Sequence, residues 1–153
     1  MKPIWFKPVR PSDLERFVPN TMMEHLNIAI TEIGPDFVKG RMPVDWRVHQ
    51  IHGNLHGGAS VALAETLGSL AAVLVLDSDK QFCVGQEINA NHLRAISSGF
   101  LTGIARPFHI GATSHVWGIE MCGDDGKLVC VSRLTMAIRD RKASQPTATP
   151  HPS

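Results

Sequence analysis

The chain has 153 residues, a formal net charge of +1, 43% hydrophobic residues and 19% charged residues. That length suits one domain with a sizeable core, and the composition excludes a disordered chain. A charge so close to zero offers no electrostatic basis for nucleic acid or an anionic membrane as a partner, and neither is expected.

Residues 1–25 are expected to form an N-terminal helical segment. Ser12, with Glu15 three positions later, makes a capping-box pattern, and Leu14, Phe17 and Val18 give an apolar side. A second short helix or turn is expected over Thr21–Leu26. Residues 26–139 form the main domain. Two strands, 26–33 and 36–44, flank the turn Gly34-Pro35-Asp36. In the second, Val38, Gly40 and Met42 alternate with Phe37, Lys39 and Arg41, the period of a half-buried strand, and Pro43 ends or edges it. Residues 45–55 show no period and read as a loop.

Residues 56–76 read as one long helix entered through Gly57-Gly58. Alanine and leucine dominate it, and both favour helix. Apolar residues lie on nearly every side, the pattern of a helix surrounded by protein. Glu65 is its one carboxylate. Burying an unpaired carboxylate is costly, so such a helix keeps one for a structural partner or for a reaction.

After a polar turn at Asp77-Ser78-Asp79-Lys80, four strands are expected at about 81–95, 98–108, 113–122 and 127–138. Ser97-Ser98-Gly99, Gly111 and Gly123-Asp124-Asp125-Gly126 separate them. The last is the strongest hairpin signal, since Asp-Gly suits a tight turn. Trp117, Ile119 and Met121 share one face of their strand. Leu128, Cys130, Leu134 and Met136 do so on the next. Short connections imply an antiparallel sheet, and with the long apolar helix they predict an α+β fold whose sheet curls around the helix. Residues 140–153 are polar and proline-rich and read as a disordered tail. The three cysteines, Cys83, Cys122 and Cys130, have no CxxC spacing and fit reduced thiols. Without an apolar signal-peptide run in residues 1–20, a cytoplasmic location is expected.

Leu55-His56-Gly57-Gly58-Ala59-Ser60, Glu65 and Ser69, and then Gly85-Gln86-Glu87-Ile88-Asn89-Ala90-Asn91-His92-Leu93-Arg94 together resemble the hotdog-fold acyl-CoA thioesterases. The nearest branch is the bacterial 4-hydroxybenzoyl-CoA and 1,4-dihydroxy-2-naphthoyl-CoA thioesterase group, in which a place in menaquinone biosynthesis is one expectation. The resemblance runs from about Phe37 to Ile138. It implies a hotdog fold, self-association into dimers or tetramers, and active sites at the dimer interface that draw residues from both chains. It implies an aryl- or acyl-CoA substrate and no metal or redox cofactor.

A thioester carbonyl needs a nucleophile or a base that activates water, together with donors for the developing oxyanion. By resemblance Glu65 is the catalytic carboxylate, as nucleophile or general base, and apolar surroundings make a carboxylate more basic. Ser69, one turn on, shares its face and can hydrogen-bond it. Gly57 begins the helix, where the N–H lacks an intrahelical partner and the dipole favours negative charge; the resemblance makes it the oxyanion donor. Gln50 and His56 match residues that orient the carbonyl or the water, and His92 matches a histidine lining the site. Coenzyme A is expected against Gly85, against His92, Leu93, Arg94 and Ala95, and against the loop His109, Ile110, Gly111, Ala112, Thr113 and Ser114. Arg94 offers charge to a phosphate. Thr113 stands where close relatives often have a basic residue, and Arg106 or Arg133 are candidates to compensate.

The blander readings differ residue by residue. Glu65 alone would serve equally as a structural carboxylate. His49, His52 and His56 are loosely spaced for a metal but have no acidic or cysteine partner beside them, so no metal site is expected. Ser60 lacks the Gly-x-Ser-x-Gly elbow of serine hydrolases. Two further functions stand beside hydrolysis: a non-enzymatic hotdog binder of acyl-CoA, and a hotdog dehydratase, which the Gly57-Gly58 entrance fits poorly.

Overall fold

Six strands make one antiparallel sheet in the computed structural model, which describes residues 2–141. They are β1 (Ala29–Ile33), β2 (Val38–Pro43), β3 (Gln81–His92), β4 (Phe100–Ile110), β5 (Ser114–Cys122) and β6 (Leu128–Asp140), in the order β1-β2-β4-β5-β6-β3. The main helix, α2 (Gly57–Val75), follows the short α1 (Met22–His25) and enters between β2 and β3. Strands β2 to β6 pack against α2, so the sheet wraps it as the α+β reading expects. The helix is long and apolar enough to cross a bilayer by composition, yet here it is the core helix.

Small residues set how closely the helix approaches. Gly40 and Gly103 pair across β2 and β4, and both face Leu67. A Cβ at either would lie 2.7 Å from a Leu67 methyl. On the helix itself, a Cβ at Gly68 would meet Leu134 at 2.6 Å. Leu67 therefore seats in a two-glycine notch and Leu134 in a notch on α2, which gives the interior its close packing. Leu63, Ala64, Ala71, Ala72, Met42, Leu101, Trp117, Ile119 and Met121 complete the core. His115 joins them, edge-on to Trp117 at 6.3 Å between ring centroids, and burial pushes its pKa down.

The alternations predicted for β2 and β5 hold, with Val38, Gly40 and Met42 and then Trp117, Ile119 and Met121 buried. The hairpin at Gly123–Gly126 also holds: Gly126 has φ 73°, the left-handed conformation that suits glycine, and its N–H donates to the Gly123 carbonyl at 3.0 Å. Leu128, at the open end of β6, is 37% exposed rather than packed with Cys130, Leu134 and Met136.

The N-terminal segment departs from expectation. Its helix is a 3-10 helix over Pro11–Phe17 capped at Arg10, not by Ser12. Pro11 supplies the fixed φ that favours a first helical position, and the Asp13 carboxylate accepts from the Arg10 N–H at 2.8 Å. The first strand starts at Ala29 because residues before it turn: Asn27 has φ 51°, and the Ile28 N–H bonds the Met23 carbonyl at 2.8 Å. The residues ahead of the 3-10 helix form a strap. Ile4 N–H donates to the Pro35 carbonyl at 2.9 Å, Trp5 Nε1 to the Gly34 carbonyl at 2.7 Å, and Phe6 N–H to the Leu74 carbonyl at 2.9 Å. The last of these satisfies a carbonyl in the final turn of α2. At the other terminus β6 runs through Asp140, which belongs to the sheet, and the Arg141 N–H just beyond it bonds the Lys80 carbonyl at 2.7 Å. The rest of the expected tail, 142–153, lies outside the described residues.

Two strands end the sheet, β1 and β3. The edge of β3 is the more exposed: Val84, Gly85, Gln86 and Glu87 face solvent, and its register with β6 shifts between Gly85 and Glu87. An open strand edge is a row of unpaired N–H and C=O groups ready to pair with another strand.

Candidate active site

The expected site residues fall into two groups along β3, one at its His92 end and one at Gly85. The first surrounds a cleft of about 340 Å³ at the start of α2, lined by Gln50, Asn54, Leu55, Gly57, Ser60, His92, Leu93, Arg94, Ala95 and Val129. Six of these are expected from the sequence. Asn54, Leu55, Ser60 and Val129 are not, although Ser60 lies one helical turn beyond Gly57 and its place on that face is readable from the period.

Local hydrogen bonds hold this cleft. The loop carrying Gln50 starts with Asp45, which caps the 3-10 turn Trp46–Val48. Arg47 holds the Asp45 carboxyl down to about 2 by hydrogen bonds from its guanidinium and its backbone N–H. Gln50 N–H donates to the Asn54 carbonyl at 2.8 Å, and the Gln50 side-chain carbonyl accepts from the His52 N–H. His56 is the N-cap of α2, its Nδ1 accepting from the Gly58 N–H at 2.8 Å. His49 Nε2 meets the Ser97 carbonyl at 3.0 Å, so two of the three loop histidines have partners other than a metal.

Gly57 is the first residue of α2, and among the described residues its N–H has no acceptor. The His92 ring lies against it, so close that a Cβ on Gly57 would be 2.6 Å from Nε2. Glycine is needed here for close approach. Arg94 is not free for a phosphate, as was expected. Its guanidinium makes two hydrogen bonds to Asp125, at 2.7 and 3.1 Å, and a third to the Lys127 carbonyl at 3.0 Å. Arg106, one of the compensating cations, is likewise engaged, 2.7 Å from Asp36 and stacked on Phe37 at 4.5 Å.

The second group surrounds Glu65, which is half-buried rather than enclosed. Ser69 Oγ donates to Glu65 Oε1 at 3.3 Å and lies 3.7 Å from Met136 Sδ. Gly85 on β3 faces the carboxylate: a Cβ there would be 2.5 Å from Oε1. In the sheet, Gly85 pairs with Met136 and Met136 with His115, so one row runs from Glu65 towards the β4–β5 connection. The expected coenzyme A loop lies just beyond that row. His109 and Ile110 are the end of β4, not loop, and Ser114 opens β5, leaving Gly111, Ala112 and Thr113 as the turn. Gly111 N–H bonds the Ser114 carbonyl, and Ile138 N–H the Thr113 carbonyl, each at 2.9 Å.

The two groups do not meet within one chain. Eight residues of α2 separate Glu65 from Gly57, about 12 Å at the helical rise. From Gly85 to His92 is about 23 Å of strand. A carboxylate and an oxyanion donor that act on one carbonyl must stand within a few ångströms of it.

Residues 52–130 match the family model described as the thioesterase superfamily. A Vibrio cholerae protein named as an esterase is 49% identical over 142 residues, 93% of this chain and 94% of its own length. The proofreading thioesterase EntH of Cronobacter sakazakii is 46% identical over 135 residues, 88% of this chain and 98% of its own. Among solved structures, a glutamine-to-alanine variant of a Pseudomonas aeruginosa thioesterase superposes with a TM-score of 0.88 at 44% identity, covering 90% of this chain and 99% of that one.

Proposed function

Because the chain belongs to the thioesterase superfamily and has its hotdog fold, we propose that it hydrolyses an aryl- or acyl-CoA thioester to the free acid and coenzyme A, at sites shared by two copies of the chain. One observation carries the reading. The carboxylate and the unpaired N–H lie about 12 Å apart on one helix, beside Gly85 and His92 of an edge strand whose outer side has no partner among the described residues. Antiparallel pairing of β3 with its copy, about a twofold axis between Gly85 and His92, brings Glu65 of one protomer to the partner's Gly57 and completes two equal sites. Kinship to a proofreading thioesterase and to a protein named as an esterase supports the hydrolytic chemistry.

In this reading the thioester lies between the chains. Its carbonyl oxygen points at the Gly57 N–H, where the helix N-terminus stabilises the oxyanion. Glu65 either attacks the carbonyl carbon, giving a mixed anhydride that water then hydrolyses to the free acid and the restored carboxylate, or takes a proton from a water that attacks the carbonyl directly. The C–S bond then breaks, and coenzyme A leaves as the thiol after taking up a proton. Ser69 steadies the carboxylate, Gln50 orients the carbonyl or water, and His92 closes the wall behind Gly57. The open mouth of the cleft at Leu93 to Ala95 and the turn at Gly111 to Thr113 are the surfaces left for coenzyme A. A second level of association, into tetramers, is compatible with this pairing because it leaves the outer face of the sheet free.

Thiol release across aryl- and acyl-CoA thioesters tests the reading. Turnover of at least one class is expected. Saturable binding of these thioesters without thiol release would make the chain a binder and overturn it.

A further inference from the structure

We propose that Met136 is a positioning residue for the hydrolysis. Its thioether is a second acceptor for the Ser69 hydroxyl, which turns from Glu65 to Met136 when the carboxylate loses its negative charge and turns back when the carboxylate is restored. The inference rests on the hydrolase reading, with Glu65 as the reacting group.

The fold places two acceptors around one donor. Glu65 and Ser69 lie one turn apart on α2 and share a face. Met136, on β6, is 2% exposed, and its sulfur lies 3.7 Å from Ser69 Oγ. The hydroxyl has a single proton to donate, and Glu65 Oε1 is 3.3 Å away. A hydroxyl seated on a carboxylate usually lies about 2.5–2.7 Å from it, so the Ser69 hydroxyl stands between its two acceptors rather than on one. A thioether is the weaker of the two, and its larger atom accepts at longer range.

The sheet fixes the sulfur there. Met136 pairs with Gly85 on β3 and with His115 on β5, so it is held from both sides. Gly85 in turn leaves room for the carboxylate, since a Cβ on it would fall 2.5 Å from Oε1. Leu134 and Ile138, the neighbours of Met136 on the same face of β6, are buried hydrocarbon. A leucine would fill the place of Met136 about as well, so packing alone does not call for sulfur.

The reaction gives the second acceptor its use. As a base, Glu65 takes a proton from the water that adds to the carbonyl; as a nucleophile, it bonds to the carbonyl carbon. Either step removes negative charge from the carboxylate and makes it a poorer acceptor. Ser69 is half-buried, and a donor stranded there opposes the step. Met136 accepts the hydrogen bond at that moment. No proton leaves Ser69; its hydroxyl rotates about the Cβ–Oγ bond. When the departing thiolate takes the proton from Glu65, or water hydrolyses the anhydride, the carboxylate is restored and the hydroxyl returns. Because the bond to sulfur is made only once the carboxylate reacts, it acts on kcat and not on KM.

The test measures kcat and KM for one accepted CoA thioester on the wild type, Met136→Leu, Met136→Ile, Ser69→Ala and the Ser69→Ala/Met136→Leu double variant, with thermal unfolding of each. Leucine and isoleucine keep the volume without the sulfur, so both Met136 variants are expected to unfold near the wild-type midpoint. Each is expected to hold KM within about twofold and to lose about fivefold in kcat, the low end of stranding a donor. In the Ser69→Ala background, which has no hydroxyl to turn, Met136→Leu is expected to cost nothing further. An unchanged kcat in both Met136 variants, or the same loss with and without the Ser69 hydroxyl, would overturn the proposal and leave the hydrolase reading standing. A raised KM with kcat retained would put the thioether against substrate and overturn it too. A wild type that binds CoA thioesters without releasing thiol would overturn the hydrolase reading itself, and the proposal with it.

Discussion

Glu65→Ala is expected to release coenzyme A about a thousandfold more slowly than the wild type, the scale of losing a positioned base or nucleophile. The structure separates this loss from one of folding. Glu65 is half-buried, and its hydrogen bond among the described residues is with Ser69 at 3.3 Å. The buried face of α2 is carried by Leu63, Ala64, Leu67, Gly68, Ala71 and Ala72, none of which the substitution touches. An unfolding midpoint close to the wild type is therefore expected, and Glu65→Gln, which keeps the shape, should be about as inactive. Steady-state thiol release and thermal unfolding measured together check this. Activity within tenfold of the wild type would remove Glu65 from the chemistry.

Gly57→Val is expected to lower kcat/KM by about a hundredfold, comparable to disabling one oxyanion-hole donor. The N–H remains, but its surroundings do not. A Cβ at Gly57 falls 2.6 Å from His92 Nε2 and 3.0 Å from two ring carbons. The ring must swing away, and the added methyl groups occupy the space over the N–H that a carbonyl oxygen would use. Gly57 is the first residue of the helix, ahead of its buried residues, which begin at Ser60, so the protein should still fold. Kinetics on any accepted thioester, with circular dichroism as the folding check, measure the effect. Unimpaired turnover would mean that no substrate atom approaches this N–H.

Why some of this was legible in the sequence and some was not follows from the range of the interactions. The bounds of α2 are local facts: two glycines at the entrance, then an unbroken alanine and leucine run. The alternation in β2 and β5 and the Asp-Gly turn before β6 are equally local. The start of the first helix was misread because Ser12 and Glu15 imitate a capping box, while Pro11 and the Asp13 carboxylate put the cap at Arg10, two residues earlier. Arg94 looked free because its partner, Asp125, is 31 residues away on a hairpin that only the sheet brings near. His56 looked like a substrate contact, and the N-cap geometry gives its Nδ1 to Gly58. The edge position of β3 is a property of strand order, which skips from β6 back to β3, and no period encodes it. That order is what leaves Glu65 and Gly57 apart within one chain.

Mixing the two variants tests the shared site most directly. Glu65→Ala and Gly57→Val are each nearly inactive alone. In a mixed dimer one site carries both lesions, and the other joins an intact Glu65 to an intact Gly57. Dissociating and re-associating equal amounts should give about half mixed dimers with one working site each, restoring about a quarter of wild-type activity. If each chain builds its own site, every site keeps one lesion and the mixture stays as inactive as its parts.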